Sequence, residues 1–218
     1  MIPPLTGIAP LCAVLFLGAA LTYPWLRGES LMRSAVKTTA IAALVLWALS
    51  LGAYGLAAAL AFSAFGDWFL SRPGPRAFLY GMAAFAAAHL VYIGLFVAIL
   101  NQTGAPPWPD PRFRGALLLF GLGLWMAARI LRAAGPMRRP VALYGAVLLV
   151  MAVLAMMMPP NDAGHLIGLG AVLFVISDVL IGRERFLQTR WPGQGLAIWA
   201  LYCTAQACVA MGLVGLTV

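Results

Sequence analysis

Apolar residues run along this chain in long blocks separated by short clusters of Gly, Pro, Ser and Arg. The blocks cover residues 5–26, 35–50, 54–71, 76–100, 113–132, 140–158, 164–182 and 194–216. Most reach the roughly 20 residues with which a helix crosses the hydrocarbon of a bilayer. The pattern therefore predicts an all-α fold, a polytopic transmembrane helical bundle of about eight spans. The second and third blocks part only around residues 50–54, where Gly52 and Gly55 are weak punctuation. A fusion of the two would leave seven spans and put the termini on opposite sides. The start, MIPPLTG, lacks the positive region of a secretory signal, so the first block reads as a retained span. No connection is long enough for a soluble domain, and residues 1–218 read as a single transmembrane domain.

Composition agrees with the pattern: 63% of residues are hydrophobic, 9% are charged and the mean hydropathy is +0.95, which excludes an ordinary soluble enzyme. Charge adds orientation. Arg27, Arg33 and Lys37 flank the first connection, Arg72 and Arg76 the third, Arg132, Arg138 and Arg139 the fifth, and Arg183, Arg185 and Arg190 the seventh, whereas the even connections hold Arg112 and Arg114. Positive residues mark cytoplasmic loops. Both termini are thus expected outside, and the formal charge of +8 is a topology signal that calls for no nucleic-acid partner. One lysine beside thirteen arginines points to a GC-rich bacterial genome and so to a bacterial inner membrane. Cys12, Cys203 and Cys208 lie in apolar spans without metal or redox spacing. The methionines of MAVLAMMMPP are packing residues before a proline stop.

The acids carry the chemistry. Glu29, Asp110, Asp162 and Glu184 fall at span ends or in loops, which leaves Asp67 and Asp178 inside spans, where a charge costs at least a few kcal/mol. Their surroundings match: GDWFLSR at 66–72 and SDVLIGR at 177–183 both read small-Asp-apolar-apolar-apolar-small-Arg. The match fits two parallel four-span halves, although seven residues of this kind also recur between unrelated apolar helices. Each aspartate precedes a boundary arginine by five residues, about 7–8 Å along a helix, the depth of a phospholipid's glycerol and first chain atoms. His89 and Tyr92 share a face of the fourth span, and Tyr202 and Gln206 a face of the eighth. Ser63 lies one turn before Asp67, and Ser177 directly precedes Asp178. Cross-helix hydrogen bonding accounts for such tyrosines, glutamines and serines as well as catalysis does.

GDWFL, GMAAFAAAHLVY (81–92), GAVLFVISDVLIGRERF (170–186) and YCTAQ (202–206), in this order, resemble the YhhN-type membrane family, whose animal members are lysoplasmalogenases. The resemblance covers nearly the whole chain, and its polar motif positions fall on Asp67, His89, Tyr92, Ser177, Asp178, Tyr202 and Gln206. It departs at Lys37, which Thr38 follows where the family has proline. It implies hydrolysis of the vinyl ether of a lysoplasmalogen, giving a fatty aldehyde and a glycerophospho-base.

A vinyl ether hydrolyses by protonation at carbon and capture of the oxocarbenium ion by water, a demand that glycosidases meet with paired carboxylates. Asp67 and Asp178 supply such a pair, one as acid and one handling water, with the assignment left open. His89 orients an acid or relays protons. Tyr92, Ser177, Tyr202 and Gln206 are candidate contacts to water or the glycerol hydroxyl, and Lys37, Arg72 and Arg183 to the phosphate, although rim cations follow equally from topology. The substrate expected is a lysophospholipid taken from membrane lipid on the cytoplasmic side, with no cofactor and no protein partner marked. With His89 and His165 alone, on opposite sides, a three-histidine metal site is excluded, and no metal is expected. The competing class is a proton-coupled transporter built on the same buried acids. Carriers with internal repeats, however, place polar residues at the midplane on broken helices. The charge pattern predicts that reporter fusions after Gly28, Gly74, Pro136 and Gln188 all report cytoplasm. An external signal at any of the four breaks the orientation.

Overall fold

The computed structural model describes residues 7–26, 28–104, 106 and 110–217. Arg27 and all but the glycine of MIPPLTG lie outside the described residues. Among the described residues eight α-helices follow one another: α1 (Ala9–Thr22), α2 (Leu31–Ser50), α3 (Tyr54–Leu70), α4 (Pro75–Thr103), α5 (Pro111–Ala133), α6 (Arg138–Met156), α7 (Asp162–Phe186) and α8 (Gln194–Thr217). Six stretches, corresponding to α2 and α4 to α8, are long and apolar enough to cross a membrane by length and composition. The other two blocks fall short. α1 with the 3-10 turn after it ends at Trp25, and α3 has 17 residues, about 25 Å at 1.5 Å per residue against a hydrocarbon core of about 30 Å. Pro73 and Gly74 after α3 and the turn before it set that length.

That turn separates the second and third blocks. Ala53 N–H donates to Ala48 carbonyl at 2.9 Å and Gly52 N–H to Leu49 carbonyl at 3.0 Å, the paired bonds that close a helix when the residue past its cap is left-handed. Gly52, at φ +71°, is the residue type that takes this conformation without a steric cost. Helix starts are capped where a polar residue stands ready: the Ser30 hydroxyl accepts from Arg33 N–H, and Asn161 Oδ1 from Gly164 N–H. Asp110 Oδ1 caps α5 by accepting from Arg112 N–H at 2.8 Å and also accepts from the Arg112 side chain at 2.9 Å. That side-chain bond, with the guanidinium charge, holds the Asp110 carboxyl below the usual carboxylate range. Arg112 also donates to the Met158 carbonyl at 2.6 Å, tying the end of α6 to the start of α5.

The chain divides into two compact units, Met1–Tyr92 with Thr217–Val218, and Ile93–Leu216, with the division inside α4. In the first, α1 packs on α2 and α2 on α3. α3 meets α4 at glycines: a Cβ on Gly66 would stand 2.6 Å from the Phe85 ring, and one on Gly81 2.7 Å from Leu70 Cγ. In the second, α5, α6 and α7 pack on one another, and α7 and α8 approach until backbone meets glycine. Gly170 faces the Ala205 carbonyl and Gly212 the Ala163 carbonyl. Small residues are what allow this where lipid tails are as apolar as the side chains and burial drives little association. Val14, Leu21, Phe65, Leu117, Leu118 and Leu143 stay exposed on the helices, an apolar surface suited to lipid rather than water. The buried Gln194 closes the connection from α7 to α8 by donating to the Leu180 carbonyl and to Glu184.

A valine at Gly212 would begin with a Cβ 2.5 Å from the Ala163 carbonyl oxygen and 2.6 Å from Ile167 Cγ1. Backbone must move to admit it, so Gly212→Val is expected to lose at least the roughly 1–3 kcal/mol of an overpacked core. Gly121→Ala, with nothing within 4 Å of its Cβ, should leave stability unchanged or gain up to about 1 kcal/mol. Denaturant unfolding in detergent measures both.

Candidate functional site

In the first unit, Asp67 sits in the last turn of α3 and Lys37 in the second turn of α2. Each lies thirteen residues from the hairpin end of its helix, Lys37 before Ser50 and Asp67 after Tyr54. A tight antiparallel turn brings positions so matched abreast. Lys37 Nζ stands 3.0 Å from Asp67 Oδ1, with side chains 14% and 1% exposed. Gly66 lets the Phe85 ring lie against the backbone beside the acid. One turn past Phe85 on α4 is His89, fully buried, and then Tyr92, also buried. The Ser63 hydroxyl donates to Ala59 carbonyl of its own helix at 3.1 Å, the intrahelical bond open to any serine in a span. Arg72 follows α3, its Cζ 4.5 Å above the Trp68 ring.

In the second unit, Asp178 lies well inside α7, and the Tyr144 hydroxyl of α6 donates to its Oδ2. Ser177 is buried and donates to the Ile198 carbonyl of α8 at 3.2 Å. Gln206 Nε2 donates to Tyr202 Oη at 3.3 Å, and the Tyr202 ring stands edge-on to Phe174 with centroids 5.5 Å apart. These contacts hold Ser177, Tyr202 and Gln206 in the seam between α7 and α8. Arg183 falls within the last turn of α7 together with Arg185, where a cation also offsets the negative end of the helix dipole. α7 thus runs past the arginine, whereas α3 stops before Arg72, so the two look-alike segments end in different local structures.

Among the expected residues the structure joins Lys37 with Asp67 and Tyr202 with Gln206. The two acids belong to different compact units, each with a partner of its own. Sequence reasoning missed Tyr144 and Gln194. Tyr144 stands alone among apolar residues in VALYGAVLLV and is 34 positions from Asp178, so no local spacing marks it. The Lys37–Asp67 contact did leave a signal, the equal distance of the two residues from Gly52. Among the described residues no group of three or more His, Cys, Asp or Glu is gathered as metal ligands.

Apolar helices packed through glycine, an exposed apolar surface, a buried Asp67 held by Lys37 and a half-buried Asp178 held by Tyr144 define a polytopic membrane protein with ionisable groups inside its helices. The YhhN family profile matches residues 32–213, which include every candidate site residue, and the chain belongs to the YhhN family. It is 34% identical over 169 residues to lysoplasmalogenase TMEM86B of Homo sapiens, covering 76% of this chain and 67% of that protein. With lysoplasmalogenase TMEM86B of Sus scrofa the identity is 30% over 209 residues, 93% and 82% of the two chains. A lysoplasmalogenase of Mycobacterium bovis is 30% identical over 160 residues, 72% of this chain and 59% of its own. The chain thus spans about two thirds of the human relative's length and less of the mycobacterial one's. No solved structure matches it.

The ion pair sets an order of stabilities. Lys37→Met removes the ammonium that neutralises a carboxylate 1% exposed and should cost about 3–5 kcal/mol. Asp67→Asn should cost less, because the remaining ammonium lies on a side chain that reaches the surface. Unfolding free energies of the two variants in the same detergent test this, and the reverse order would remove the pair from its place in holding α2 to α3.

Proposed function

We propose that this protein is a membrane-embedded hydrolase that cleaves the vinyl ether of a lysoplasmalogen, or of a closely related lysophospholipid, to a fatty aldehyde and a glycerophospho-base. The carrying observation is the unlike setting of two carboxylates inside the helices of a YhhN-family chain: Asp67 on the Lys37 ammonium, Asp178 under the Tyr144 hydroxyl. The relatives named lysoplasmalogenase support the reaction class.

The partners suggest the roles. Lys37 favours the charged form of Asp67, which suits it to receive a proton from water. Tyr144 donates to Asp178 Oδ2 without bringing a formal charge, which suits Asp178 rather than Asp67 to hold the proton that is given to substrate. Asp178 protonates the alkenyl carbon distal to the ether oxygen, and the double bond becomes an oxocarbenium ion. Water adds to the carbon bearing oxygen as Asp67 takes its proton, which gives a hemiacetal. In the collapse Asp67 returns a proton to the departing glycerol oxygen while Asp178 accepts the hemiacetal hydroxyl proton. The aldehyde forms, and both acids regain their starting states. His89 orients an acid or relays protons. The Tyr202–Gln206 pair, Tyr92 and Ser177 position water or the glycerol hydroxyl, and Arg72 and Arg183 face the headgroup. In the proposed setting both termini lie outside a bacterial inner membrane, and the reaction takes place toward the cytoplasmic leaflet.

Asparagine keeps the shape of each acid but transfers no proton. Asp67→Asn and Asp178→Asn should each lower kcat for aldehyde release by more than about 100-fold, and the double variant little further, since groups acting in one step are not additive. Tyr144→Phe should lower kcat about tenfold with KM unchanged, and His89→Gln should cost less than either asparagine. Near-normal aldehyde release by either folded asparagine variant would remove that acid from the mechanism. Proton-coupled flux in vesicles lost in the same variants would put a carrier in its place.

A further inference from the structure

The 3-10 turn Tyr23–Trp25 that follows α1 brings an aromatic ring over the start of α2. Arg33 and Lys37, four residues apart, share a face of α2, and both cations stand over that ring. Arg33 Cζ is 4.7 Å from the Tyr23 centroid, and Lys37 Nζ is 6.0 Å from it. Their surroundings then diverge. Lys37 reaches Asp67 at 3.0 Å. Arg33 pairs with no carboxylate among the described residues, and its Nε is buried without a hydrogen-bond acceptor there.

A guanidinium held over an aromatic ring keeps its N–H groups for other partners, and its planar fork is shaped to take two oxygens of a phosphate or carboxylate at once. A buried donor with no acceptor is costly, and a ligand oxygen removes that cost. Arg33 has no carboxylate partner among the described residues, and its single charge is the complement of a phosphodiester monoanion. The register fits as well. Arg33 lies about 6 Å nearer the start of α2 than Lys37, an offset comparable with the glycerol unit that separates an ether oxygen from the phosphate of a lysophospholipid.

We propose that Arg33, held over the Tyr23 ring, binds the phosphodiester of the lipid substrate one helical turn from the Lys37–Asp67 pair. The proposal rests on the lysophospholipid reading above. It assigns Arg33 to substrate binding, and Lys37 to Asp67 rather than to the phosphate.

Binding tests it separately from hydrolysis. The probes are a lysophosphatidylcholine with a saturated alkyl ether, which has no vinyl ether to cleave, and the matching alkylglycerol, which has no phosphate. Both are titrated against the full-length protein in nanodiscs. Arg33→Gln should weaken binding of the phospholipid at least about tenfold, the scale of a lost charge-assisted hydrogen bond, and leave the alkylglycerol within twofold. Arg33→Lys should be intermediate, since charge remains and the fork is lost. Tyr23→Phe, which keeps the ring, should bind as the parent does, whereas Tyr23→Leu should lose affinity for the phospholipid alone. Equal phospholipid binding by parent and Arg33→Gln overturns the proposal, and so does a parent that binds neither probe. A parallel loss for both probes also overturns it, as a structural effect. Inorganic phosphate separates a lipid headgroup from a free anion. Thermal stabilisation of the parent by phosphate, abolished in Arg33→Gln while phospholipid binding is unaffected, would overturn the lipid assignment. Aldehyde assays are read apart, so a parent that binds the saturated lipid through Arg33 but releases no aldehyde fails the hydrolase reading and not this one.

Discussion

A carboxylate that is 1% exposed on an apolar helix needs a partner for its charge, and the first unit is organised around the ammonium that supplies it. Lys37 can meet Asp67 only if α2 and α3 form a tight antiparallel hairpin in register. This requires the turn to close within three residues, and the left-handed Gly52 makes that closure. The same register leaves α3 short, because Pro73 and Gly74 end it a few residues after the acid. The ion pair, the hairpin and the length of α3 are therefore one constraint seen at three scales. A longer α3 would span hydrocarbon more comfortably, but it would carry Arg72 and its aromatic partner Trp68 away from the end of the helix. A helix shorter than the hydrocarbon thickness is accommodated by local thinning of the bilayer or by reach of its flanking residues.

In the second unit the acid is half-buried and has a neutral partner. Asp178 takes its hydrogen bond from Tyr144 on α6, and the neighbouring Ser177 ties α7 to the α8 backbone. Backbone and small residues do the rest: Gly170 and Gly212 bring α7 and α8 close enough for the Phe174, Tyr202 and Gln206 side chains to interlock. Polar groups inside a membrane bundle contribute modestly to stability when satisfied. What this seam secures is orientation, since Tyr202 and Gln206 are fixed by each other and by an aromatic edge.

Most of the helical layout was legible in the sequence, because in a membrane the length of an apolar block and the Gly or Pro that ends it decide where a helix runs. Even the ambiguous boundary near Gly52 is resolved by a local rule, the need for a left-handed residue after the cap. The shortness of α1 and α3 was less legible, since apolar residues continue into capping turns and blur the helix ends. At the site, the two acids stood out because a charge in an apolar block is expensive. Their partners did not. Tyr144 looks like any aromatic residue in a span, and Lys37 looks like any rim cation until the hairpin register is known. Long-range pairing is set by which helices are neighbours, information that no single stretch of sequence holds.

The two look-alike segments make the same point about chemistry. GDWFLSR and SDVLIGR place an acid at one spacing from an arginine, and on spacing alone the two aspartates are interchangeable. The residue before each acid already separates them. Gly66 has no side chain and admits the Phe85 ring against the backbone, while Ser177 spends its hydroxyl on the next helix. The partner completes the difference, since an ammonium brings a full positive charge to Asp67 whereas a phenol brings a neutral donor to Asp178. In the proposed reaction one acid gives a proton while the other takes one, and unlike surroundings are one way to separate such roles. Repetition of the acid supplies two groups at a useful depth. The repetition fails beside the acids, Gly66 against Ser177 and Lys37 against Tyr144, so the two carboxyl groups stand in unlike surroundings.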